Sequence, residues 1–246
     1  MLWFTYQNKE RCVAMNNAVK ERNRKLDADL WIIGLISMAV FMIYGSYSKQ
    51  IMSFCKNSEI SVWARLLVSA AMEYGIAGLG ITIVCILRRE SFKSFGLRKE
   101  NTVKTIIGTV ICFIPYIIYV VVSGRFEGYN PLSIMVSDDL HKAGIPGMLI
   151  GIPVIALVWG FFEGFNYAVI SEIINRRYPV KSGLFNWGCL VGGIMCVLFH
   201  PFSLSLSGII EIATTFMAIY GMLWLCKKNN NAWGCVFAFI FIWNAI

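Results

Sequence analysis

The sequence predicts an all-α, polytopic transmembrane bundle of about seven spans with its N-terminus on the cytoplasmic side. Three observations predict it. Of 246 residues, 57% are hydrophobic and only 15% charged, whereas soluble domains carry about 25% charged residues. The apolar residues fall in runs near the roughly 20 residues that cross a bilayer core of about 30 Å. The basic residues alternate from one side of these runs to the other.

The first 29 residues form a polar, basic arm, expected on the cytoplasmic side as a solvated tail or a short helix on the anionic inner leaflet. No cleavable leader is evident, because the first apolar run begins only at Leu30. Residues 30–246 read as one membrane-embedded domain, with spans at roughly 30–47, 60–87, 104–123, 147–170, 183–200, 208–226 and 232–246. The connection 88–104 interleaves Phe92, Phe95 and Leu97 with basic residues and reads as a segment at the headgroup boundary. The connection 124–146 carries Gly124, Gly128, Pro131, Gly144 and Pro146 and reads as a turn-rich outer cap.

Lys and Arg favour cytoplasmic loops. Seventeen of the 22 lie in the arm or in the loops after spans two, four and six, and four (Lys49, Lys56, Arg125, Lys142) lie opposite. The net charge of +8 is therefore explained by topology rather than by nucleic acid. The eight cysteines lie mostly within spans and form no CxxC pair, so they read as small packing residues rather than a disulfide framework or metal cluster.

Ionisable groups in hydrocarbon are costly and mark candidate sites. They are Arg65, Glu73, Glu163, His200 and Glu211. Arg65 and Glu73 are eight apart on one span and could join one polar seam. Glu163, Asn166, Tyr167 and Ile170 recur at i, i+3, i+4 and i+7, so a carboxylate, an amide and a phenol share one helix face, expected to look into the bundle. A glutamate with His200 can hold and deprotonate a water molecule. Two ligands are too few for zinc, so no cofactor or metal is indicated. Glu211 is a further candidate partner for His200, and Asn244 supplies an amide in the last span. His141 reads as a solvated loop residue beside Asp138 and Asp139. Straight spans would leave Glu163 and His200 on the order of 15 Å apart in depth; a tilted or re-entrant segment around 164–186 would close the gap.

These landmarks, in this order, resemble the CPBP family of membrane CAAX-prenyl proteases and bacteriocin-processing or Abi-type proteins. That family carries EExxxR, FxxxH and HxxxN motifs on successive helices, often after an FGL-type cytoplasmic segment. Ser94-Phe95-Gly96-Leu97-Arg98 looks like that segment, Glu163 stands where the first motif belongs, His200 where the second belongs, and Trp243-Asn244 where the third belongs. The resemblance covers about residues 90–246. In one register Gly164 and Ala168 replace the second glutamate and the arginine; in the other, Phe162 and Tyr167 replace the first glutamate and the arginine. Cys196 and Ile240 replace the phenylalanine and histidine of the later motifs.

The resemblance implies a cell-membrane endopeptidase in which Glu163 and His200 activate water and Asn244 stabilises the oxyanion, with Asn166 or Tyr167 standing in for the missing donor. Its partners would be membrane lipid and a peptide or membrane-protein substrate, prenylated in the CAAX case. Two other readings stay open: a catalytically degenerate relative that binds or scaffolds membrane proteins, and a small transporter subunit with Glu73, Glu163 and Glu211 along a polar path.

Overall fold

A computed structural model describes the backbone of residues 2–199 and 203–246, with side chains from Met15 onward. Every regular element among these residues is helical. Helix α1 runs unbroken over Leu2–Ser46 and is followed by the short α2 (Ser48–Lys56). The expected boundary at 29/30 therefore falls inside one helix. At about 1.5 Å per residue its 45 residues reach about 68 Å, well beyond a bilayer.

The second apolar run is not straight: α3 (Val62–Ala77) and α4 (Leu79–Arg88) meet at Gly78 with a bend of 56°. Helix α5 covers Thr102–Val122, and the short α6 (Ser137–Lys142) lies in the connection after it. Helix α7 covers Gly147–Arg177 and widens into π-helical turns at Gly147–Gly151 and Ala156–Phe162. Then come α8 (Trp187–Phe199), α9 (Leu206–Asn229) and α10 (Trp233–Trp243), whose last turn, Phe239–Trp243, is again π-helical.

Four helices (α1, α5, α7 and α9) are long and apolar enough to cross a membrane, or five if the bent α3–α4 pair counts as one span. Helices α8 and α10 are apolar but shorter. The outward faces are apolar too: on α5, Ile107, Ile111, Ile114 and Ile118 are all exposed at helical spacing, a stripe suited to hydrocarbon rather than water.

The polar connections gather at two ends. At one, Arg88 pairs with Asp29 at 2.7 Å and Arg177 with Asp27 at 2.6 Å, while the Asn231 amide donates to the carbonyls of Arg98 and Glu100 at 2.7 and 2.8 Å. The FGL segment sits here, folded into the bundle rather than spread on its surface. Phe95 is buried, and the Phe92 ring lies 5.2 Å from that of Phe165. Gly96 takes φ +94, where a side chain would be strained, and its carbonyl accepts from the Ala232 N–H at 2.8 Å. At the opposite end Arg65 pairs with Asp139 at 2.9 Å, Arg125 with Glu211 at 2.5 Å, and Asn130 N–H donates to the Ala245 carbonyl at 2.9 Å. Arg65 therefore anchors the 124–146 cap to α3 instead of joining a seam with Glu73. His141 lies on α6, with Nδ1 2.8 Å from the Ser137 carbonyl oxygen.

Candidate functional site

Helix α7 organises the site through two neighbouring faces. On one, Gly160 and Gly164 let α10 approach closely: a methyl group on Gly160 would collide with Ile240, and one on Gly164 would lie 2.5 Å from the Cys235 carbonyl oxygen. Small residues four apart permit such crossings in apolar surroundings. On the other face stand Glu163, Asn166, Tyr167 and Ile170, and all four line one cavity of about 730 Å³.

The crossing joins two irregular stretches. Glu163 directly follows the π-helical turn of α7, and Asn244 directly follows that of α10. Such turns recur at functional sites because they leave backbone groups to find other partners. Here Asn244 Nδ2 donates to the Trp159 carbonyl at 3.0 Å and to Glu163 Oε2 at 3.1 Å. Both of its N–H groups are engaged, so Asn244 orients the carboxylate and is not left as a free oxyanion donor.

The cavity is bounded by α1 (Ile33, Met38, Phe41), α2 and α3 (Met52, Met72, Glu73), α7, and α8 (Val191, Met195, Phe199), with Ile134 and Met135 of the cap at one end. Its walls are mainly apolar, and its size matches sites that enclose a ligand segment. Between α1 and α8 the link is the edge-to-face contact of Phe41 with Phe199, with centroids 5.5 Å apart.

Three polar groups besides Glu163 face this space. Asn166 Oδ1 is buried with no hydrogen-bond partner. The Tyr167 hydroxyl is hydrogen-bonded with the Cys196 thiol. Glu73, on α3, lines the cavity and lies within electrostatic reach of Glu163. The residues beside the two glutamates, Tyr74 and Phe162, pack edge-to-face at 4.9 Å, which sets α3 and α7 side by side at the level of the carboxyls. Sequence reasoning noticed Glu73 as a buried charge, offered it a seam with Arg65, and set it beside Glu163 only in the transporter reading. Nothing in spacing ties residues 73 and 163 together; only the packing of α3 on α7 does.

Glu211 is not brought to the cavity. Arg125 holds its carboxylate, and the Tyr119 hydroxyl donates to it at 3.4 Å. Among the described residues Glu211 therefore does not line the cavity of Glu73 and Glu163 and is not placed as a supporting group of the site. His200 lies outside the described residues. The expected depth gap between Glu163 and His200 therefore lies outside them too, but α8 differs from its expected limits. It starts not at residue 183 but at Trp187, where Gly188 N–H donates to Asn175 Oδ1 at 2.9 Å. Running antiparallel to α7, it sets Gly192 against Tyr167 and brings Cys196 to the Tyr167 hydroxyl. The described end of α8 thus brings Cys196 near Tyr167 and Glu163, with α7 one continuous helix over Gly147–Arg177. Ile240, at the position where the resemblance expects histidine, packs on Gly160. Among the described residues no three His, Cys, Asp or Glu side chains converge as metal ligands, and the cysteines are free thiols.

The geometry offers an oriented carboxylate, a second carboxyl, and an unpaired amide at the wall of a largely apolar cavity. Such a set can hold a water molecule and polarise a carbonyl group within hydrocarbon-like surroundings. Compared with models of known families, with curated proteins and with solved structures, the chain matches none.

Proposed function

We propose that this chain is a seven-span membrane protein with its N-terminus inside, and a CPBP-like intramembrane endopeptidase. The five long or bent spans together with α8 and α10 make seven. The basic segments of the arm and of the loops after α4, α7 and α9 gather at one end of the bundle, as cytoplasmic loops do.

One observation carries the enzymatic reading: Asn244 fixes Glu163 at the wall of the apolar cavity. Glu163 is the general base. With Oε2 held by Asn244, Oε1 takes a proton from water as the water oxygen attacks a peptide carbonyl. The Asn166 amide is the donor that meets the developing oxyanion; one such donor is worth about 2.7–4 kcal/mol. His200 is the second group expected to act on this water. The substrate is a peptide segment that enters the apolar cavity from the membrane, attached to a lipid chain or itself apolar.

Purified protein in detergent, incubated with a prenylated CAAX peptide and an apolar peptide library, tests this. Cleavage is expected, and is expected to vanish in Glu163→Gln and in His200→Ala. Cleavage unaffected by both substitutions overturns the assignment. Ile240 at the Gly160 crossing favours a second reading, a binding protein that has exchanged a catalytic group for packing. Under that reading the same peptides bind and are recovered intact.

A further inference from the structure

We propose that Glu73 is a second catalytic carboxyl, supplied from α3, working as the partner that the α7 sequence lacks. The inference rests on the hydrolase reading above. In α7 the positions flanking Glu163 are Phe162 and Gly164, neither of which can serve as an acid or base. Gly164 cannot become a glutamate without breaking the α7–α10 crossing, since even a methyl group there meets the Cys235 backbone. Helix α3 brings a second carboxyl, Glu73, to the wall of the same cavity.

The placement is specific. Glu73 lies one residue before Tyr74, Glu163 one residue after Phe162, and those two rings pack at 4.9 Å. Both carboxyls line the same cavity, and so does Asn166 with its unpartnered Oδ1. Among the described residues Glu73 has neither an ion pair nor a hydrogen-bonding partner, although Arg65 stands on the same helix. Arg65 is committed to Asp139 at the far end. An unpaired carboxyl in an apolar wall is costly unless it has a task.

The roles follow from the donors. An N–H donor favours a carboxylate anion, so the base role falls to Glu163, held by Asn244, and the acid role to Glu73, which has no donor among the described residues. Water attacks the carbonyl carbon and gives its proton to Glu163, and the carbonyl π electrons move onto oxygen. As the intermediate collapses, the C–N bond breaks and Glu73 passes its proton to the leaving nitrogen. The products are a carboxyl and an amine, with one water consumed. Proton exchange between the two carboxyls restores the pair. Two carboxyls dividing these tasks is an established way to cleave peptides.

The test compares wild type, Glu73→Gln, Glu73→Asp, Glu163→Gln and the double glutamine variant of the full-length protein, using a quenched fluorogenic apolar peptide. Glu73→Gln is expected to lose more than about 100-fold in kcat with KM little changed. The double variant is expected to be no slower than Glu163→Gln alone, as for residues that act as a unit. Glu73→Asp is expected to recover part of the rate. Glu73→Gln within about threefold of wild type, with Glu163→Gln inactive, overturns the role of Glu73 and leaves the hydrolase reading standing. Activity losses in both Glu73 variants that only follow loss of folded protein also overturn it. No cleavage by the wild type overturns the hydrolase reading and this inference with it.

Discussion

The bundle has two unlike halves that share α7. In the α5–α9–α10 half, small residues bring helices into contact: Gly221 meets Cys112 of α5, and Gly234 meets Thr105 and Thr109. Phe113, Phe239, Ile219 and Met222 are fully buried there, and Asn229 donates to Thr105 Oγ1 at 3.0 Å. In the α1–α3–α7–α8 half the helices enclose the cavity, and among the described residues Glu73 and Asn166 Oδ1 line it without a hydrogen-bond partner. The contrast teaches that one half fixes geometry and the other is free to be shaped by what it binds. Asn244 crosses the boundary: it belongs to the packed half and holds Glu163 of the open one.

Four predictions sharpen or break that contrast. The largest effect belongs to Glu163→Gln, which removes the proposed base from the open half. Peptide cleavage falls about 10³-fold or more, while thermal unfolding, followed by fluorescence, stays within a few degrees of wild type. Asn244→Ala comes next. It removes the hydrogen bonds to Glu163 and the Trp159 carbonyl, each worth about 0.5–1.5 kcal/mol, and lowers the cleavage rate about 10- to 100-fold with substrate affinity retained. Gly164→Leu attacks the packed half instead. Overpacking of this kind costs about 1–3 kcal/mol and lowers the unfolding midpoint, and activity declines through the displacement of Asn244.

The smallest effect is at the cap. Lys142 and then Arg65, both bonded to Asp139, hold its carboxyl below the ordinary 3.8. A depressed folded-state pKa stabilises above the unfolded value and is lost as pH falls through the folded one. The cap is therefore insensitive to pH near neutrality and loosens only below about pH 4. Limited proteolysis of 124–146 against pH checks this. In Asp139→Asn the acid-dependent step disappears.

Much of this was legible in the sequence, for identifiable reasons. The α5 run is uninterrupted and apolar, so its expected limits of 104–123 differ little from Thr102–Val122. The face formed by Glu163, Asn166, Tyr167 and Ile170 follows from helical spacing alone, and all four line the cavity as one set. What depended on packing was not legible. The bend at Gly78, the widened turns before Glu163 and Asn244, and the late start of α8 are responses to neighbouring helices rather than to local composition. The seam offered to Glu73 and Arg65 was a guess from one helix for the same reason. On its own helix Arg65 is the nearest charge to Glu73, whereas the carboxyl that shares the cavity with Glu73 lies 90 residues on. The Gly160–Gly164 pair was a readable signal, a small-residue spacing that marks a close crossing, and it points to the contact that places Asn244.

The division of labour between the two halves is tested most directly by measuring cleavage rate and unfolding midpoint together across one set of variants. The set is Glu163→Gln, Glu73→Gln, Asn244→Ala and Gly164→Leu in purified full-length protein. The two glutamate variants are expected to lose cleavage at an unchanged midpoint, and Gly164→Leu to lose midpoint first. Full cleavage by Glu163→Gln, or a loss of cleavage that follows the midpoint in every variant, would contradict the assignment of the chemistry to the open half.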